Sequence, residues 1–126
     1  MSTRATILVK YTNKKQAVQY YHHCDGYPEF MGELLKSYVN IAGLTDYGLE
    51  QNAIFKKLLN MEKHFEKETK GTIHGDIEFV WYVDLDAGKV SYTKISYYGI
   101  ELNGWDYIKK LVNAKEGESL FYTFKF

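Results

Sequence analysis

The sequence predicts an α+β fold: an antiparallel sheet built from two hairpins and a C-terminal strand, with helices packed on it in the order ββααββαβ. Three observations carry this. Period-2 alternation recurs at the start, middle and end of the chain, two stretches between keep three-four spacing, and turn-forming residues punctuate the junctions. The 126 residues suit a single domain over 1–126, with length enough to bury roughly two thirds of the unfolded surface around one core.

From Thr3 to Tyr11, Ala5, Ile7, Val9 and Tyr11 alternate with Thr6, Leu8 and Lys10, a strand with one well-buried face. Thr12-Asn13-Lys14-Lys15 turns the chain into a second strand over about Gln16–His22, so the pair reads as a hairpin. Asp25-Gly26 favours a turn, and Pro28 opens a helix to Ala42 with Phe30, Leu34, Tyr38, Met31, Leu35 and Val39 at helical spacing. Gly43 is placed to end it in the left-handed conformation. A second helix is expected over Leu49–Thr69, with Ile54, Leu58, Met61 and Phe65 inward and the mixed-charge stretch Glu62–Glu68 as a solvated helical face. Ile77–Asp84 alternates cleanly, and Leu85-Asp86-Ala87-Gly88 turns it into a strand over Lys89–Tyr97, the second hairpin. Asn103 caps a short helix, Gly104–Asn113, whose Trp105, Ile108, Leu111 and Val112 face inward. Ser119–Phe126 alternates again; this apolar terminus either joins the protein's own sheet or pairs with a neighbouring subunit.

Composition narrows the class. Aromatic residues reach 17%, with twelve tyrosines, and tyrosine suits surfaces that are apolar on one side and wet on the other, such as sites and subunit interfaces. Sixteen cations balance sixteen anions, which argues against a polynucleotide partner. No run approaches the roughly 18 apolar residues of a membrane span, and Met1-Ser2-Thr3-Arg4 lacks a secretory core, so a cytoplasmic location without a membrane partner is expected. The lone Cys24 has no internal disulfide partner and agrees with a reducing compartment.

Complete catalytic motifs are missing: there is no phosphate-binding glycine loop, no His-Glu-x-x-His and no Cys-x-x-Cys. His22-His23-Cys24-Asp25 holds four metal-ligand types in a row, yet neighbours on a strand point to opposite faces, so at most His22 and Cys24 share a metal. No metal and no cofactor is expected. A Cys24–histidine nucleophile pair lacks an assignable orienting acid or oxyanion hole, and no enzyme activity is expected. Asp84 and Asp86 belong to a hairpin turn for backbone reasons. Arg4, the one arginine, and Asp25 fall at the same edge of the first hairpin, where they either form a salt bridge that fixes the Asp-Gly turn or contact a ligand. Tyr27, Tyr98 and Trp105 offer stacking faces for a base, or pack in the core or a dimer. The candidate ligand-binding set is Arg4, His22, His23, Asp25, Tyr27, Tyr98, Asn103 and Trp105.

Thr3-Arg4-Ala5-Thr6-Ile7, then Tyr21-His22-His23-Cys24-Asp25-Gly26-Tyr27-Pro28-Glu29, then Gly32-Glu33-Leu34-Leu35 resemble the opening of a group of small phage and prophage proteins. The resemblance is confined to this N-terminal part and departs at Cys24, where those proteins usually carry an aromatic residue. Size, the two-hairpin layout and aromatic richness are also similar to the phage Thoeris anti-defence proteins, which sequester cyclic ADP-ribose-type signals without cleaving them. What this implies is a homo-oligomeric phage-type anti-defence protein that binds a small nucleotide-type ligand, a cyclic ADP-ribose isomer or cyclic oligonucleotide, with aromatic rings on the base and Arg4 or lysines on phosphate. The alternative expectation is a small inhibitor of a host defence protein such as a CRISPR nuclease.

Overall fold

The computed structural model describes residues 3–44, 48–72, 74, 76–94 and 122–123. Strands β1 (Arg4–Lys10) and β2 (Val18–His22) form the expected hairpin, with Ala5 opposite His22 and Val9 opposite Val18. Asn13 takes the left-handed conformation in its turn, at φ 66°. This is one of the few residues that adopts it readily. The tail of the expected second strand, from Gln16, stays outside the ladder.

The fold is α+β, but its sheet is mixed rather than antiparallel. Strand β4 (Ile77–Asp84) lies parallel to β1, with Ile7 opposite Trp81 and Val9 opposite Val83. Strand β5 (Lys89–Lys94) continues antiparallel to β4, as the second hairpin predicts. At the far edge Tyr122–Thr123 forms β6 against Ser91 and Tyr92, so these C-terminal residues join the chain's own sheet. The expected strand residues 95–97, the helix 104–113 and the rest of the C-terminal strand lie outside the described residues. With β2 on one side and β4 on the other, β1 is central, and Ala5 through Val9 are fully buried on both faces instead of one.

A second correction concerns Leu49–Thr69. Helix α2 (Gly48–Met61) ends early, and Phe65–Glu68 forms β3, paired antiparallel to β2 with Phe65 opposite His22 and Glu68 opposite Gln19. The free edge of β2 supplies ladder partners that local helical spacing does not reveal, and tertiary context overrides propensity. The inward stripe of α2 shifts accordingly: Phe55 and Leu59 are fully buried, Leu58 packs at the margin, and Met61 is 68% exposed.

The two helices sit within the β2–β3 connection and cover one face of the sheet. The first begins as a π-helical turn, Pro28–Gly32, and continues as α1 (Glu33–Ala42). Met31, Leu35, Tyr38, Val39 and Ala42 pack with Ala5, Ile7, Val9, Trp81 and Val83 in a single core cluster, joined by Phe55 and Leu59 of α2. Phe30, which shares the helical spacing of these residues, is turned out. Gly43 ends α1 at φ −66°, a right-handed conformation, so the expected left-handed cap is not used. Among the described residues no helix is long and apolar enough to cross a membrane.

The corner between β2 and the π turn is fixed from three sides. Asp25 adopts φ 56°, the Gly26 amide donates to the Thr3 carbonyl at 2.8 Å, and the buried Trp81 indole donates to the Gly26 carbonyl at 2.8 Å. A Cβ on Gly26 would stand 2.7 Å from the Cβ of Ala5 and 3.0 Å from the Thr3 carbonyl oxygen, both held rigidly by β1. Gly26→Ala is therefore expected to destabilise the protein by about 1–3 kcal/mol through overpacking, read as a lowered urea midpoint at unchanged slope.

Candidate functional site

Beside that corner a groove of about 580 Å³ opens, lined by Thr3, Tyr27, Pro28, Glu29, Glu78, Phe79, Tyr92 and Lys94. This volume falls in the range of small-molecule sites, about 300–1,000 Å³. Its floor is aromatic: the Phe79 and Tyr92 rings stand 6.0 Å apart at 59°, and Tyr92 leans on buried Trp81 at 4.9 Å. Tyr27 and its neighbour Phe30 are both exposed, their ring centroids 6.4 Å apart. Consecutive strand residues normally point to opposite faces, yet Glu78 and Phe79 line the same groove. The register explains this. Arg4 faces Ile77 and Ala5 faces Phe79, so Glu78 is an extra residue, a β-bulge that re-aims the side chains beside it.

A separate polar cluster occupies the sheet face opposite the helices. Because β3 and β4 run in the same direction with β2 and β1 between them, the connection 69–76 must cross the sheet. Buried Gln19 holds it down: its Nε2 donates to Glu68 Oε1 and to the Thr72 carbonyl, each at 2.7 Å, and its Oε1 accepts from the Gly71 amide at 2.9 Å. Tyr21 adds a stack on His74 at 4.0 Å and donates its hydroxyl to the Asp76 carboxylate at 3.1 Å. Burial and this carboxylate push the Tyr21 phenol up to about 12. Arg4 reaches Asp76 at 3.4 Å, and His74 Nε2 meets Glu68 Oε2. His23 lies edge-on to Tyr21 at 4.8 Å, its Nε2 2.8 Å from Glu66.

His22 points the other way, into the helix-covered side. It is 2% exposed, packs on Phe65 at 4.3 Å and faces His64 at 5.9 Å, while its Nδ1 accepts the Cys24 amide at 3.3 Å. The neutral ring therefore carries its proton on Nε2. Burial lowers the His22 pKa below its ordinary value. Desolvation, and then the adjacent Asp25 carboxylate, push the Cys24 thiol up, opposite to the shift that activates a nucleophile. Among the described residues no three histidine, cysteine or carboxylate side chains are grouped to hold a metal ion.

The predicted set is thus divided. Tyr27 lines the groove; Arg4 and His23 join the crossover cluster; His22 is buried; Asp25 shapes the corner; and Tyr98, Asn103 and Trp105 lie outside the described residues. The first hairpin does bring Arg4 and Asp25 to one edge, but the ion pair of Arg4 is with Asp76. Sequence reasoning misses Glu78, Phe79, Tyr92 and Lys94, because alternation alone assigns Glu78 and Phe79 to opposite faces and a bulge leaves no local signature. It also misses Gln19, whose role depends on the crossover. Neither a family model nor a curated protein nor a solved structure matches this chain.

The buried imidazole gives a pH signature. With its folded pKa depressed, the unfolded chain binds a proton first as pH falls, so stability contributed by neutral His22 is intact above about pH 6.5 and declines below it until the folded pKa is reached. His22→Asn retains an acceptor near the Cys24 amide and does not titrate. Urea midpoints between pH 7.5 and 5 should fall less steeply in the variant than in the wild type, and this difference in slope isolates the contribution of His22.

Proposed function

We propose that the protein works by binding a small nucleotide-type ligand in the Tyr27 groove and holding it uncleaved. One observation carries this reading: an open groove of about 580 Å³ is lined by three aromatic residues, the exposed Tyr27 and the more deeply set Phe79 and Tyr92, together with Glu29, Glu78 and Lys94. Planar bases stack on such rings with about 1–3 kcal/mol each. The likeness in size, two-hairpin layout and aromatic richness to the phage Thoeris anti-defence proteins suggests the biological class, an anti-defence protein that removes a cyclic ADP-ribose isomer or cyclic oligonucleotide from the host cell. Binding in a cytoplasmic homo-oligomer belongs to the same proposal, and size-exclusion chromatography with light scattering tests that part.

Lysine 94 replaces Arg4 in this version of the site, since Arg4 is engaged by Asp76 while Lys94 borders the groove. A thermal-shift screen against cyclic ADP-ribose isomers, cyclic dinucleotides and cyclic trinucleotides is the direct test. A ligand at about a hundred times its dissociation constant stabilises the fold by roughly 2.7 kcal/mol. Heat release followed by mass spectrometry should recover it intact. Tyr27→Ala should weaken binding by about 1–3 kcal/mol by calorimetry while leaving the unliganded melting temperature within a degree or two, because the ring is exposed. Recovery of a cleaved ligand would overturn sequestration.

A further inference from the structure

Three charged side chains border the groove: Glu29 in the π turn, Glu78 on the bulge of β4 and Lys94 opposite Phe79 on β5. Other charges nearby are engaged: Arg4 with Asp76, and Glu66 and Glu68 with histidines. Among the described residues no ion pair or side-chain hydrogen bond engages Glu29, Glu78 or Lys94. The bulge turns Glu78 toward an aromatic floor without giving it a partner.

We infer that the groove takes an amino-bearing purine mononucleotide, its ring stacked between the aromatic side chains, its exocyclic amino group donating to Glu78 or Glu29 and its single phosphate facing Lys94. This rests on the reading of the groove as a nucleotide site and departs from it in ligand class, with a mononucleotide in place of a cyclic ADP-ribose isomer or cyclic oligonucleotide. Two carboxylates beside one ammonium oppose a ligand that brings a pyrophosphate, because the second negative group would meet a carboxylate without a compensating cation. An N–H donor edge on the base turns the same carboxylates into acceptors, as acidic side chains accept from cytosine N4 in DNA. Lysine serves one phosphate as a point charge, whereas a bidentate clamp needs arginine.

Calorimetry with cyclic AMP, cyclic GMP and cyclic IMP separates these terms, since cyclic IMP lacks the exocyclic amino groups of the other two. Cyclic AMP or cyclic GMP should bind at least about tenfold more tightly than cyclic IMP, and that preference should collapse in Glu78→Leu or Glu29→Leu, which remove the acceptor. Lys94→Met should weaken the preferred cyclic nucleotide about tenfold and leave the corresponding nucleoside unchanged. Equal binding of all three cyclic nucleotides, or a preference that survives both carboxylate variants, overturns the inference. If pyrophosphate-containing cyclic ADP-ribose isomers bind in a Tyr27-dependent way while the mononucleotides do not, the inference falls and the nucleotide reading of the groove stands. If neither class binds, both fall.

Discussion

The fold hangs on a short crossover held to the sheet by the buried amide of Gln19, with Tyr21 and Arg4 engaging it beside that amide. A connection that crosses a sheet face needs partners for the backbone N–H and C=O groups it turns toward the sheet, and each one buried without a match costs about 1–3 kcal/mol. Gln19 answers this with both ends of its side chain, accepting from Gly71 and donating to Thr72 and Glu68. The crossover delivers β4 parallel to β1, in the middle of the sheet. From there Trp81 reaches the Gly26 carbonyl, and the corner that presents Tyr27 becomes rigid.

The histidines show how one short sequence run serves unrelated ends. His22 and His23 are adjacent, but the strand's alternation sends one into the core side and the other to the crossover face. His22 is neutral and buried, and its bond from the Cys24 amide ties the end of β2 to the corner. His23 and His74 flank Tyr21 and reach carboxylates from the edge strand. Their common task is to hold the edge and the crossover against β2, on the face of the sheet away from the groove that Tyr27, Glu29, Glu78 and Lys94 border.

Much of the fold is legible in the sequence because burial patterns are local. Ile77, Phe79, Trp81 and Val83 mark β4 to its last residue, and Leu35, Val39 and Ala42 mark the inner face of α1. Pairing between strands distant in sequence is not local, so the parallel neighbour of β1 stays hidden, and with it the burial of both its faces. The segment Phe65–Glu68 illustrates the ambiguity most directly: charges at helical spacing also alternate, and the open edge of β2 decides between them. Of the site, Tyr27 is visible because Asp-Gly-Tyr-Pro announces a corner, whereas Glu78 depends on a bulge that only the register reveals.

The π turn at Pro28–Gly32 has a consequence for how this chain can change. Such a turn accommodates one residue more than the α form, and each residue in an α-helix rotates its successor by about 100°. Gly26 is anchored to β1 and Trp81, while Leu35 and Val39 are anchored in the core, so neither end is free to rotate. Losing one residue between them would force the helix either to unseat its buried face or to swing Tyr27 away from the groove. What constrains this stretch is therefore a length before it is a set of residues: Phe30 reaches solvent, whereas an insertion or deletion breaks the gauge that links the corner to the core.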